Sequence, residues 1–215
     1  MVYHSEFTYQ QDRLSFIVTT PSDYSENESL PLIVFLHGAG ERGTDLERIT
    51  VHGIPKLFAK NPDHLGLRVI TLSPQCPLQD VWSNHTHTLH ALIEQIAREY
   101  HADPNRISIT GLSMGGFGTW EMICRYPELF AAAAPICGGG MAWRASAIGD
   151  LPIRAFHGDN DDVVSIDYSV RMVSAVNRNG GHANLTILPG VGHDSWTYAY
   201  EKTDLISWLA TQTRS

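Results

Sequence analysis

The stretch GLSMG, residues 111 to 115, sets Ser113 between two glycines, with the β-branched run RISIT before it and helical spacing after it. A serine hydroxyl is a weak nucleophile until a base takes its proton and a third group fixes that base. LPGVGHDSW supplies His193 in a glycine-flanked turn, and FHGDNDDVVS supplies Asp159, Asp161 and Asp162 just after an earlier apolar run. A serine lifted onto a tight turn needs small neighbours, because a Cβ at 111 or 115 would strike the adjacent strand or helix. The same turn would aim the Met114 N–H and the positive end of the next helix at the space beside Ser113, where negative charge would develop. A second donor for an oxyanion hole is expected in FLHGAGERG, residues 35 to 43, at the Ala39 N–H or alternatively at Gly40. Together these groups could carry out acyl transfer through a covalent serine intermediate.

Two other polar tracts offer different chemistry. The three carboxylates at 159, 161 and 162 could bind a cation through oxygen, yet no glutamate follows at the twelfth position of such a loop. HTHTLH places His85, His87 and His90 in H-x-H-x-x-H spacing, which could hold zinc. A dinuclear metal motif would want aspartate where Leu89 stands, and Leu89 belongs to an apolar helix face. The reading is therefore a site with no metal and no cofactor.

Elements that alternate must position these groups. Apolar, β-branched runs bounded by turn residues at 14 to 20, 31 to 38, 67 to 74, 106 to 113, 130 to 138, 151 to 158 and 183 to 190 predict strands. Several are apolar nearly throughout, as suits strands covered on both faces of a parallel sheet. Helical spacing appears in THTLHALIEQIAREY, in SMGGFGTWEMICRYP and in SIDYSVRMVSAVNRNGG, the last ending in a glycine pair. The repeated β-α-β order predicts an α/β fold, a mostly parallel twisted sheet with helices on both faces and ligands at the carboxyl ends of the strands. The acidic SDYSENES, residues 22 to 29, reads as a surface loop. Residues 1 to 215 are expected to form one domain.

Composition excludes several function classes. A formal net charge of −8 disfavours nucleic acid and acidic membrane surfaces. The apolar runs are too short to span a bilayer, so a soluble protein is expected. MVYHSEFTYQQDRLSF lacks a basic start followed by an apolar segment, which makes the cytoplasm the expected location. Cys76, Cys124 and Cys137 have no CxxC spacing and are expected to be buried fillers.

The residues quoted above, with SPQCP and DPNRISITGLSMGGFGTWEMICRYPELFAAAAPICGGG, resemble the α/β-hydrolase superfamily. The closer resemblance is to its small carboxylesterase and predicted-peptidase branch, related to phospholipase/carboxylesterase and dienelactone-hydrolase-like enzymes. It extends over nearly the whole chain and implies Ser113 as nucleophile and His193 as base. In the family pattern H-G-x-x-D-x-x-V the acid is the fifth residue, which is Asp161, with Asp162 next door. Ser165 stands where the family usually has proline. Dienelactone hydrolases proper carry cysteine at the elbow, so Ser113 argues against that activity. Only GGGMAWRASAIGD separates two predicted strands where many relatives insert a cap, so an open, capless site is expected. The resemblance further implies that Gln75 and Trp82 line a substrate cleft, and Trp196, three residues after His193, is expected to form another wall.

The expectation is a serine hydrolase for small-molecule esters with short acyl or aryl groups, possible as a homo-oligomer. A peptidase or thioesterase using the same triad is the alternative. A metallohydrolase using the histidine tract and a non-catalytic binding protein are the further rivals.

Overall fold

The structure, a computed structural model, describes residues 1–214. Strands β1 (Val2–Tyr9) and β2 (Asp12–Thr19) form a hairpin, and β3 (Leu32–Leu36) leads through a glycine-rich loop to α1 (Gly53–Phe58). Then follow β4 (Ile70–Gln75), α2 (Thr86–Glu99), β5 (Ile107–Leu112), α3 (Met114–Arg125) and β6 (Ala132–Ile136). The chain continues through β7 (Ile153–Gly158), α4 (Asp167–Arg178), β8 (Ala183–Leu188), α5 (Trp196–Lys202) and α6 (Leu205–Thr211). All seven expected strands form, as β2 to β8, and so do the three expected helices, as α2, α3 and α4.

The strands make one sheet in the order β1-β2-β4-β3-β5-β6-β7-β8. β2 runs antiparallel to both neighbours, and the six strands from β4 to β8 are parallel. This is the α/β-hydrolase arrangement expected from the sequence. Period-two alternation sorts the core to two sides: Leu32, Val34 and Leu36 of β3 join one apolar cluster, and Ile33 and Phe35 join the other. The first cluster takes in residues of α2, α3 and α4, the second residues of α1, α5 and α6. Because both faces are covered, β3, β5 and β6 are buried at every position, which is why they read as continuous apolar runs.

β1 lay outside the expected strands. Seven of its eight residues are exposed, so its sequence carries no buried face to betray it. Between β6 and β7 there is only a short 3-10 helix, Ala142–Ala147, and no cap.

The strand order reverses around β3: the chain leaves it for β4 on one side and returns as β5 on the other. Loops leaving the carboxyl ends of β3 and β5 therefore diverge, and a crevice opens between them. Ser113 and the loop after Leu36 stand at that crevice.

Candidate active site

Ser113 directly follows β5 with φ 53° and ψ −116°, a left-handed conformation in which a non-glycine residue is strained. Three contacts hold it there. Its N–H donates to Ile136 O at 3.0 Å, the Phe117 N–H donates to Ser113 O at 3.0 Å, and glycines on either side admit the neighbouring backbone. A Cβ on Gly111 would lie 2.5 Å from Gly115 O, and one on Gly116 would lie 2.4 Å from Ile136 O. The glycines thus serve close approach of α3 to β3, β5 and β6. Gly118 clears space instead for Trp82, whose Cβ would stand 2.7 Å from a methyl there.

The structure brings Ser113, His193 and Asp161 together from the ends of β5, β8 and β7. His193 Nε2 lies 2.9 Å from Ser113 Oγ, and its Nδ1 lies 2.8 Å from Asp161 Oδ2. Asp161 has no exposed side-chain surface. Burial alone would raise its pKa, but the bond to His193 and the backbone N–H groups of Val164 and Val163 hold it below the ordinary value. Those two N–H groups both reach Oδ1, each at 2.9 Å. Asp162 makes no such contact and is exposed, while Asp159 accepts from the Gly190 N–H at 2.7 Å.

A second histidine touches the same carboxylate. His157, fully buried, puts Nε2 at 2.9 Å from Val164 O and 3.2 Å from Asp161 Oδ2. Both are acceptors, so Nε2 carries a proton and braces the same Asp161 oxygen that faces His193. Ser169 Oγ lies 2.8 Å from His157 Nδ1 and 2.9 Å from Gly138 O, and its one hydroxyl proton links His157 to the loop after β6 through whichever of the two it meets. In the sequence this histidine is the first residue of the H-G-x-x-D-x-x-V pattern, a position to which the sequence reading assigns no role.

Met114 opens α3, and Ala39 opens the 3-10 helix Ala39–Glu41. First-position N–H groups have no partner within their own helix, so both are free to point at a ligand. A Cβ on Gly38 would lie 3.7 Å from the Ser113 Cβ, so the Gly38–Ala39 turn flanks the serine directly.

His37 holds that turn in place. Its Nε2 accepts from the Cys76 N–H at 2.9 Å, leaving Nδ1 to donate to Gly38 O at 2.6 Å. Burial pushes the His37 imidazole down to about 4. Unfolded, it titrates near 6.5, so below that pH the unfolded chain takes up a proton that the folded chain refuses until about pH 4. The stability His37 confers is complete above 6.5 and falls away as pH drops toward 4, by about 3 kcal/mol at most. Thermal midpoints measured from pH 7 to 4 should fall steeply in the wild type and less steeply in His37→Gln. Equal slopes would show that His37 does not govern this loss.

Gln75 departs from expectation. Its residue is 1% exposed, and its Nε2 donates to Glu41 O and Asp45 O, both at 2.8 Å. The last side chain of β4 thus points beneath the loop after β3 and supports it, and it does not line the cleft. Trp82 is also buried, donating from Nε1 to His37 O at 3.0 Å, but its ring forms part of the cleft wall. Trp196 stands edge-on to His193, ring centroids 5.3 Å apart, and is not among the residues lining the cleft.

The cleft, about 570 Å³, opens beside Ser113. Met114, Phe117, Gly118 and Glu121 of α3 line it, together with Val81 and Trp82 from the connection after β4 and Gly139, Gly140 and Met141 from the connection after β6. The α3 residues recur at i, i+3, i+4 and i+7, one face of the helix. That spacing was present in the sequence, but nothing there showed which face of α3 was open.

The histidine tract does not assemble. His85 lies between Asp12 and Asp80 at 3.2 and 2.9 Å, His87 meets Tyr126 and Arg125, and His90 packs at a tilt against Tyr126. Among the described residues, Cys137, Asp161 and His193 form the one group whose ligand atoms converge within 4.8 Å. Burial pushes the Cys137 thiol up to about 12. Among the described residues no helix is long and apolar enough to cross a membrane.

Known proteins fit this picture. A solved thermostable esterase superposes with a TM-score of 0.90 at 35% identity, over 99% of this chain and 63% of that one. A feruloyl esterase module from Clostridium thermocellum, complexed with sinapinate, shares the fold at a TM-score of 0.81 and 15% identity, covering 100% of this chain and 89% of that one. A probable feruloyl esterase C of Aspergillus terreus is 24% identical over 170 residues, 77% of this chain and 62% of that protein. A bifunctional acetylxylan esterase/xylanase of Neocallimastix patriciarum is 34% identical over 80 residues, 37% of this chain and 12% of that protein. The chain thus spans less than two thirds of both of these relatives. The family model for phospholipase/carboxylesterase matches residues 68–209. Because that match runs from just before β4 into α6, well over half of the chain, and takes in Ser113, Asp161 and His193, the chain belongs to the phospholipase/carboxylesterase family.

Proposed function

We propose that this protein is a serine esterase that hydrolyses small carboxylic esters, aryl or short acyl, through an acyl-enzyme. The observation that carries the reading is the continuous hydrogen-bonded line from Ser113 Oγ through His193 to Asp161, with spacings of 2.9 and 2.8 Å. His193 Nε2 takes the proton of Ser113 as Oγ attacks the ester carbonyl, and the Met114 and Ala39 N–H groups receive the developing oxyanion. Asp161 keeps the Nδ1 proton of His193 in place. The same histidine then protonates the leaving alcohol, and afterwards activates the water that releases the acid.

Relatives named as esterases support this class of reaction, and a capless cleft with Phe117, Trp82 and Met141 around it favours a compact or aromatic acyl group over a long lipid tail. A fluorophosphonate probe should label the wild-type protein on Ser113, and Ser113→Ala should abolish both labelling and p-nitrophenyl acetate turnover. Full turnover by Ser113→Ala would overturn the reading.

A further inference from the structure

The side chain of Asp161 is fully withdrawn from water, and an ionised carboxylate has about four lone-pair sites to fill. The Val163 and Val164 N–H groups fill two at Oδ1, and His193 Nδ1 fills one at Oδ2. The remaining donor is His157, four residues earlier near the end of β7, whose Nε2 stands 3.2 Å from the same Oδ2. Burying an imidazole completely costs the hydration of both its nitrogens, so an apolar ring would fill this space at less expense. The chain keeps the imidazole and gives each nitrogen a partner, Val164 O at 2.9 Å for Nε2 and the buried Ser169 Oγ at 2.8 Å for Nδ1. Oδ1 is thus anchored by the turn that carries Asp161, and Oδ2 by a side chain rooted in a different element. Without the second anchor, Oδ2 could swing about Oδ1, and the His193 ring would follow it away from Ser113.

We propose that His157 is a positioning residue of the triad, whose Nε2 proton pins Asp161 Oδ2 where it orients His193 toward Ser113. This rests on the serine-esterase reading and adds to it a fourth side chain on which the reaction depends. His157 does not line the cleft, so its effect reaches the chemistry through Asp161 and not through substrate binding. The lever is steep, because the proton transfer depends on spacings of 2.8 and 2.9 Å, and misplacing a reacting group by about 1 Å costs about a hundredfold in rate.

The test compares the wild type with His157→Phe, which keeps a flat ring but neither nitrogen, and His157→Gln, which sets an amide NH₂ near the place of Nε2. On p-nitrophenyl acetate, kcat should fall by about tenfold to a hundredfold in His157→Phe. Acylation and deacylation both use His193, so KM should stay within about twofold. Fluorophosphonate labelling of Ser113 should slow in proportion to kcat, and His157→Gln should recover kcat to within about fivefold of the wild type. In an Asp161→Ala background, adding His157→Phe should cost no more than about twofold, since a residue that acts through the acid has nothing left to position. An undiminished cost in that background would mark a structural role and overturn the proposal, as would a folded His157→Phe with wild-type kcat. Ring ¹⁵N–¹H spectra of the wild type need no core variant to fold: the signal that disappears in His157→Gln should show a proton on Nε2, and a proton on Nδ1 alone would also overturn it. A wild type that neither turns over p-nitrophenyl acetate nor takes the fluorophosphonate would overturn the esterase reading and the proposal together, whereas the variant results bear on the proposal alone.

Discussion

Asp161→Asn is expected to lower kcat by about 10³- to 10⁴-fold while leaving the protein folded. Oδ1 of Asp161 receives the Val163 and Val164 N–H groups, and Oδ2 faces His193 Nδ1 and His157 Nε2. An asparagine has one oxygen to offer. Placed against the two backbone donors, it turns its NH₂ toward His193, which must then accept at Nδ1 and carry its proton on Nε2. That proton faces Ser113 Oγ, and the imidazole can no longer act as its base. The opposite flip keeps an acceptor for His193 but sets the NH₂ against two backbone N–H groups, which the turn after β7 would have to open to relieve. Either way the base is lost or misplaced, whereas Asp162→Asn alters an exposed carboxylate and should change kcat by less than about twofold. Steady-state kinetics on p-nitrophenyl acetate, with circular dichroism to verify folding, checks both variants. A large loss in Asp162→Asn with little in Asp161→Asn would reverse the assignment of the acid.

What could be read from sequence follows from which constraints are local. The elbow was legible because a strand, a G-x-S-x-G turn and a helix are consecutive, and because each glycine there answers a backbone approach that no larger residue allows. β3 to β6 were legible because burial on both faces forces apolar residues at successive positions. β1 was not, since an edge strand with almost no buried residue obeys no pattern. Gln75 was misplaced for a related reason: the expected strand stopped at residue 74, whereas Gln75 closes β4, and its side-chain direction there depends on where the loop from β3 passes. His37 and His157 each precede a glycine after a strand, and nothing in either tripeptide distinguishes a histidine that braces a turn or a carboxylate from an incidental one. Their roles come from partners outside those residues, Cys76 for His37 and Asp161, Val164 and Ser169 for His157.

Gly115→Ala is expected to be the most damaging of the single-methyl additions around the elbow. Its Cβ would fall 1.9 Å from Leu36 O, 2.5 Å from Leu36 C and 2.8 Å from His37 O. All three are backbone atoms at the end of β3, and Leu36 is in register with Gly111 of β5, so no side chain can swing aside to make room. Either α3 lifts from the sheet, breaking the contact of Gly116 with Ile136 O, or the turn after β3 moves outward. We expect a loss of at least about 3 kcal/mol, since overpacking against immobile atoms sits at the upper end of such costs. For a chain of this size that lowers the thermal midpoint by about 6 to 12 °C. Activity should fall further than stability in the fraction that remains folded, because displacing α3 from the β3 turn separates the Met114 N–H from the Ala39 N–H. Gly40→Ala is the matched comparison: it adds the same methyl two residues beyond Gly38 with nothing within 4 Å, and should shift stability by no more than about 0.5 kcal/mol. Thermal denaturation of both variants separates steric exclusion at the elbow from a general sensitivity of glycine loops. A wild-type midpoint in Gly115→Ala would mean that α3 does not press on β3 as the geometry requires.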